Sequence, residues 1–267
     1  MKNEFLLNRM QLVTTYFQLL TDKGYRMLDL NMIEPFVSED KQYHPSNIVF
    51  ERNESMKAIR SDWTRSILNY RRLYQLSDNY LGYFGPVIRE NQTIYQAGVE
   101  LYTAETDDII QSMLMHFEFI EAQSEMPIQT MIINDEKLID LYTEKYQLDE
   151  NIKYLIYEKD ISSLKDRLGA EHPLYQLMVL PVSQQYAQVV TEFEGRPLIK
   201  AIQQLHESVA AFNFKFILDL SFRSPQRYYN GFYFQIFLDQ NIPVLSGGQY
   251  ENNAFGIAIN LSDGGLI

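Results

Sequence analysis

The sequence predicts an α+β fold, helices flanking a mainly antiparallel sheet, and three observations predict it. Three stretches carry apolar residues at helical spacing, the last third carries apolar runs at strand spacing, and the links between those runs are too short for a crossover helix. The chain has 267 residues, 46% hydrophobic and 13% aromatic, enough for one large core or two small ones, which excludes disordered, collagen-like and coiled-coil classes.

Residues 5–23 place Leu6, Met10, Val13, Phe17 and Leu20 on one helical stripe, with Gly24 suited to a left-handed C-terminal cap. Residues 105–123 repeat the pattern through Ile109, Ile110, Met113, Leu114, Phe117 and Ile120. Thr106 stands there as N-cap, and Asp107 and Asp108 suit the positive helix start. From about residue 125 to 195, MPIQTMIIN, NIKYLIYEK and the helical stretches around them give weaker signals. Pro197 then opens a third helix at its first position, ahead of Leu198, Ile202, Leu205, Val209 and Phe212. Phe212, Phe214, Phe216, Leu218, Leu220 and Phe222 alternate over the close of that helix and a strand with one buried face. FYFQIFL (232–238) and AFGIAINL (254–261) are further strand-like runs, joined through DQNIP and the pair Gly247 and Gly248. No internal repeat or low-complexity linker divides the chain, so one domain over 1–267 is expected.

There are no cysteines, which removes disulfides, thiolate nucleophiles and Cys-ligated zinc. No two of His44, His116, His172 and His206 stand three or four apart, so no helical metal site is expected. The net charge, 23 basic minus 35 acidic residues, is −12, which opposes approach to a polyphosphate strand. No apolar run reaches the ~18 residues of a membrane span, and the start MKNEFLLNRMQ lacks the blocks of a signal peptide, so the chain reads as cytosolic.

Four polar clusters interrupt this apolar frame: Arg60-Ser61-Asp62-Trp63-Thr64, Arg89-Glu90, Gln96 to Glu100, and Arg227-Tyr228-Tyr229-Asn230-Gly231. Taken singly, each has a plain structural reading, Asp62 or Thr64 as cap of a helix through Ile67 and Leu68, and Glu100 as partner of a nearby cation. Together they match a family in order and wording. GYRMLDLNMIE (24–34) resembles the first class II motif of histidyl-tRNA synthetases, G-Y-x-x-I-x-T-P-x-x-E, with Asn31 at the proline. RSDWT (60–64) resembles their R-P-E-G-T, and YFGPVIRENQTIYQAGVELY (83–102) their second motif, keeping Arg89, Gln96, Gly98 and Glu100. RYYNGFYFQ (227–235) resembles D-Y-Y-T-G-x-x-F-E, SGGQY (246–250) resembles G-G-G-R-Y, and FGIAI (255–259) the start of the third motif. The resemblance implies a class II aminoacyl-tRNA synthetase-like core over nearly the whole chain.

The departures from the family pattern fall on the nucleotide side. Arg89 and Gln96 are seven apart, half the family's separation, so the loop that holds ATP and the tRNA end is expected to be cut away. The family's R-G-L-D stands here as Ser224-Pro225-Gln226-Arg227, and the third motif's acidic residue and ATP-stacking arginine fall at Ser262 and Asp263. Neutral or negative groups cannot stabilise charge developing on a triphosphate, so adenylate chemistry is expected to be absent. The sequence ends at Ile267, just past the third motif, so no anticodon-binding domain and no tRNA partner are expected.

The retained part is the amino acid seat: Asp62 and Thr64 toward the α-amino group, with Gln96, Glu100, Arg89, Tyr228 and Tyr229. Carboxylates suit an ammonium, arginine a carboxylate, and tyrosines give an imidazole a flat wall with a polar tip. Asp62 is one methylene shorter than the family's Glu and Trp63 replaces a glycine, which makes the pocket smaller, displaced or closed; the opposing reading is that these polar groups simply satisfy one another. Such a core resembles the regulatory subunits of ATP phosphoribosyltransferase. That resemblance implies no catalysis and no cofactor, a dimer through the first motif, a hetero-octamer with the short-form catalytic subunit, and histidine as feedback effector. The rivals are a reduced synthetase-like enzyme adenylating histidine or another amino acid, and a nucleic acid accessory protein using a basic patch around Arg65, Arg71 and Arg72.

Overall fold

The computed structural model describes residues 2–42, 47–89, 91–238, 241–251, 253–262 and 266; His44, Glu90, Asp263 and Ile267, named above, lie outside the described residues. Helix α1 (Lys2–Asp22) leads into β1 (Arg26–Leu28), and a small sheet follows from β2 (Ile33–Pro35), β3 (Val49–Arg52) and β4 (Ser55–Ile59). Next come α2 (Trp63–Tyr74), the hairpin β5 (Tyr80–Arg89) and β6 (Gln92–Leu101), α3 (Thr106–Gln123) and β7 (Thr130–Asp135). A helical run holds α4 (Lys137–Tyr146), α5 (Asn151–Tyr157), α6 (Ile161–Leu168), α7 (Pro173–Val179), α8 (Val182–Glu192) and α9 (Pro197–Val209). The chain closes with β8 (Lys215–Leu218), β9 (Tyr229–Phe237), β10 (Leu245–Tyr250) and β11 (Ala254–Asn260).

Eight strands form the large sheet in the order β1-β5-β6-β11-β10-β9-β7-β8. Its central five junctions are antiparallel and the two outermost, β1 with β5 and β7 with β8, are parallel. The expected α+β class therefore holds, with helices on a mixed sheet. The alternating run 212–222 differs from expectation: only Lys215–Leu218 is strand, and it joins β7 in parallel at the sheet edge. The crossover between β7 and β8 is the helical stretch α4 to α9, long enough for a parallel connection.

Residues paired across neighbouring strands share a face, and the two faces bury different clusters. Ala97, Val99 and Leu101 of β6 join Val13, Tyr16 and Leu20 of α1, Phe117 of α3 and Leu205 of α9 in the main core. Leu81, Tyr83 and Val87 of β5 pack on the other side with Trp63 and Ile67 of α2. Within the main core, Tyr16 donates its hydroxyl proton to His116 Nε2 at 2.7 Å, and Nδ1–H of that ring donates to Ser112 O at 2.6 Å. Burial pushes the His116 pKa down to about 4, so the ring is neutral and can accept.

Two local expectations are corrected. Thr106 is the first helical residue of α3 rather than its cap; Glu105 takes that place, its N–H donating to the Asp108 carboxylate at 3.0 Å, because Asp108 reaches back one turn. In α1, Leu6 and Met10 are 49% and 51% exposed, and the helix's buried core residues, Leu12, Val13, Tyr16 and Leu20, all come after them. Gly24, at φ 81, and Pro197, at N1 of α9, do end and begin their helices as expected.

Candidate functional site

Asp62 is the N-cap of α2, in extended backbone, and its Oδ1 accepts from Arg65 N at 3.0 Å. Capping leaves Oδ2 facing the sheet, where Arg89 Nη2 donates at 3.0 Å and the Tyr228 hydroxyl at 2.9 Å. Arg89 is the last residue of β5 and also donates through Nε to Ser61 O at 2.8 Å. The cap, the second-motif arginine and the first of the paired tyrosines thus form one lock.

Glu100, fully buried on β6, does not meet the cation expected for it. The Thr64 hydroxyl lies 2.6 Å from Oε1 and the Tyr250 hydroxyl 2.7 Å from Oε2. Burial raises its pKa to about 8, against the lowering effect of those two bonds, so the carboxyl keeps its proton at neutral pH and itself donates one of them. Gly256 on the neighbouring strand makes the room, since a Cβ there would stand 2.5 Å from Glu100 Oε2. Sequence reasoning missed Tyr250 as a site residue, although it closes the SGGQY motif.

Asp62, Thr64, Arg89, Gln96, Tyr228 and Tyr229 line one cavity, and Glu100 sits beside it through Thr64. Six of the seven expected residues are thus brought to a common wall and the seventh is one bond away. The space they enclose is only about 40 Å³. Trp63 and Tyr83 line it too, their rings stacked with centroids 4.8 Å apart at 21°. The Arg60 guanidinium lies 3.5 Å from the indole centroid, and the indole N–H donates to Gly85 O at 3.1 Å. Sequence reasoning flagged Trp63 as an obstacle; the structure shows what holds it.

The nucleotide side is trimmed in the described residues. Arg89 pairs directly with Gln92, so only two residues of sequence separate the paired ends of β5 and β6, and Asn91, the described one, has φ 65. Ser224 bonds within its own turn, accepting from Gln226 N at 3.0 Å, and the neighbouring Arg223 turns to Glu158 at 2.9 Å. Among the described residues lining the cavity, Arg89 is the cation, and Asp62 already engages it. The proposed basic patch is also corrected. Arg65 is buried against Asp40 at 2.6 Å, Arg71 lies over the Tyr102 ring and bonds Asp78 O, and Arg72 pairs with Glu251 at 2.6 Å. Cations held this way offer little to a phosphate backbone. No group of three or more His, Asp or Glu that could hold a metal occurs among the described residues, and no described helix is long and apolar enough to cross a membrane.

The sequence model of the family described as histidyl-tRNA synthetase matches residues 4–262. Among curated proteins, the chain is 27% identical over 256 residues to an ATP phosphoribosyltransferase regulatory subunit of Staphylococcus epidermidis, covering 92% of this chain and 94% of that one. A Staphylococcus aureus protein of the same name is 24% identical over 258 residues, covering 93% and 94%. Among solved structures, a chain of the ATP phosphoribosyl transferase (HisG:HisZ) complex from Thermotoga maritima superposes with TM-score 0.77 at 18% identity, covering 96% of this chain and 98% of that chain. Histidyl-tRNA synthetase from Nostoc sp. PCC 7120 gives TM-score 0.69 at 17% identity, covering 95% and 70%.

Proposed function

This chain belongs to the histidyl-tRNA synthetase family, and within it we propose the role of a noncatalytic regulatory subunit of ATP phosphoribosyltransferase, which activates the short-form catalytic subunit and conveys histidine inhibition to it. The observation that carries this reading is the end-to-end match with the staphylococcal regulatory subunits, over 94% of their length. The geometry supports the loss of adenylation: the direct pairing of Arg89 with Gln92 leaves no room in sequence for a loop to hold ATP, and Ser224 stands where the family places a working guanidinium. We read the chain as one synthetase-like domain that forms a dimer and works in the cytoplasm.

The proposed histidine seat is Asp62, Thr64, Arg89, Gln96, Glu100, Tyr228 and Tyr229. Histidine would take over bonds that the chain now makes to itself, its ammonium replacing Arg89 on Asp62 and its carboxylate taking Arg89. With Asp62 and Arg89 cancelling and Glu100 neutral, a zwitterion of no net charge is the matching ligand. Feedback requires histidine to bind the inhibited assembly more tightly than the active one, typically by ~1–3 kcal/mol.

Two measurements test the role. Gel filtration of the chain with a short-form catalytic subunit should show co-elution at raised mass; separate peaks would remove the partner. The purified chain should show no histidine-dependent ATP–pyrophosphate exchange, and sustained exchange would restore the reading of a reduced adenylating enzyme.

A further inference from the structure

Resting on the proposed amino acid seat, we propose that Trp63 decides whether this cavity takes an amino acid, because its indole and the ligand cannot occupy the site together. The argument starts from space. The cavity holds about 40 Å³, room for roughly three waters at ~10–15 Å³ each, where small-molecule pockets hold ~300–1,000 Å³. Six of the seven polar groups proposed for a ligand are on the wall and Glu100 is one bond behind it, so position is not what is lacking.

Volume is lacking, and the indole takes it. Trp63 is 2% exposed at the first position of α2, directly between the cap Asp62 and the Glu100 partner Thr64. Stacking on Tyr83, the Arg60 guanidinium and the bond to Gly85 O hold its ring in one orientation. The backbone has adapted to it: Gly85 has φ 151, and a Cβ there would stand 2.9 Å from the indole. A side chain fixed by three separate contacts, with a strand residue shaped around it, acts as the cavity's own occupant. Binding then requires the indole to leave, and shortening it should open the seat.

Trp63 is the single tryptophan of the chain, so tryptophan emission reads this residue alone. The test is calorimetry of the full chain and its Trp63→Ala variant with L-histidine, alongside emission of the wild type during the same titration. Trp63→Ala should bind about tenfold or more tightly than the wild type, a gain of ~1.4 kcal/mol or more. The wild type should either ignore histidine or change its emission with the same midpoint as its heat. Wild-type binding with unchanged emission overturns the proposal, as does a cooperatively melting Trp63→Ala chain that binds no better. Should the alanine variant fail to melt cooperatively, Trp63→Leu carries the same comparison, keeping some apolar bulk. These results leave the regulatory role untouched, since that is read from the catalytic subunit's activity.

Discussion

Replacing Glu100 with glutamine tests the buried carboxyl at the centre of the site. In the folded chain its pKa is about 8, raised by burial, against 4.5 for an ordinary glutamate, so the fold prefers the protonated form. The stability gained from that proton is fully present below pH 4.5, declines as pH rises above it, and is gone above about 8. Between pH 5 and pH 8 the wild type should therefore lose about 3 kcal/mol relative to a chain that cannot ionise there, at ~1.4 kcal/mol per pKa unit. Glutamine is such a residue, and its amide can still accept from one hydroxyl and donate to the other. For a chain of this size ~1 kcal/mol moves the melting temperature by ~2 °C. The difference in melting temperature, wild type minus Glu100→Gln, should fall by about 6 °C from pH 5 to pH 8. Calorimetric melts of both proteins at the two pH values read this double difference, which cancels every other titrating group. Parallel pH profiles would refute the reasoning, showing that Glu100 titrates alike in both states.

Other perturbations follow from the same contacts. Arg89→Met removes the cation from the buried Asp62 carboxylate and should cost about 3 kcal/mol in urea unfolding, whereas Tyr228→Phe, which removes one of its neutral donors, should cost about 1. His116, held neutral with a pKa of about 4 against 6.5 when exposed, resists protonation only in the fold, so the chain should lose about 3 kcal/mol as pH falls from 6.5 toward 4. His116→Leu should flatten that slope, and urea midpoints across the range measure it. Gly256→Ala places a methyl 2.5 Å from Glu100 Oε2 and should destabilise by about 2 kcal/mol, read as a lower melting temperature.

Much of the frame was legible because its punctuation is local. Gly24 and Pro197 mark helix ends through backbone constraints that hold in any context, and Asp62 caps α2 because the helix start follows it directly. Contacts set by long-range pairing were not legible. The alternation over 212–222 announces a strand, but nothing in it says that the partner is Thr130–Asp135 running parallel. Glu100 meets Tyr250 only because β10 lies beside β11 and β11 beside β6, across 150 residues of sequence. The small sheet β2–β4 passed unnoticed, though Asn53 and Glu54, both at positive φ in its hairpin, left a weak turn signal. The site was found by motif order, and the same reading could name Trp63 as a departure but not the stacking that fixes it.

The central claim is that this chain governs another enzyme instead of performing chemistry. The most direct test is the rate at which a short-form ATP phosphoribosyltransferase catalytic subunit forms phosphoribosyl-ATP, measured alone, with this chain added, and with histidine added to the mixture. The account predicts a rate that rises with added chain to a stoichiometric plateau and falls again with histidine. A rate unchanged by the chain at any ratio would contradict it.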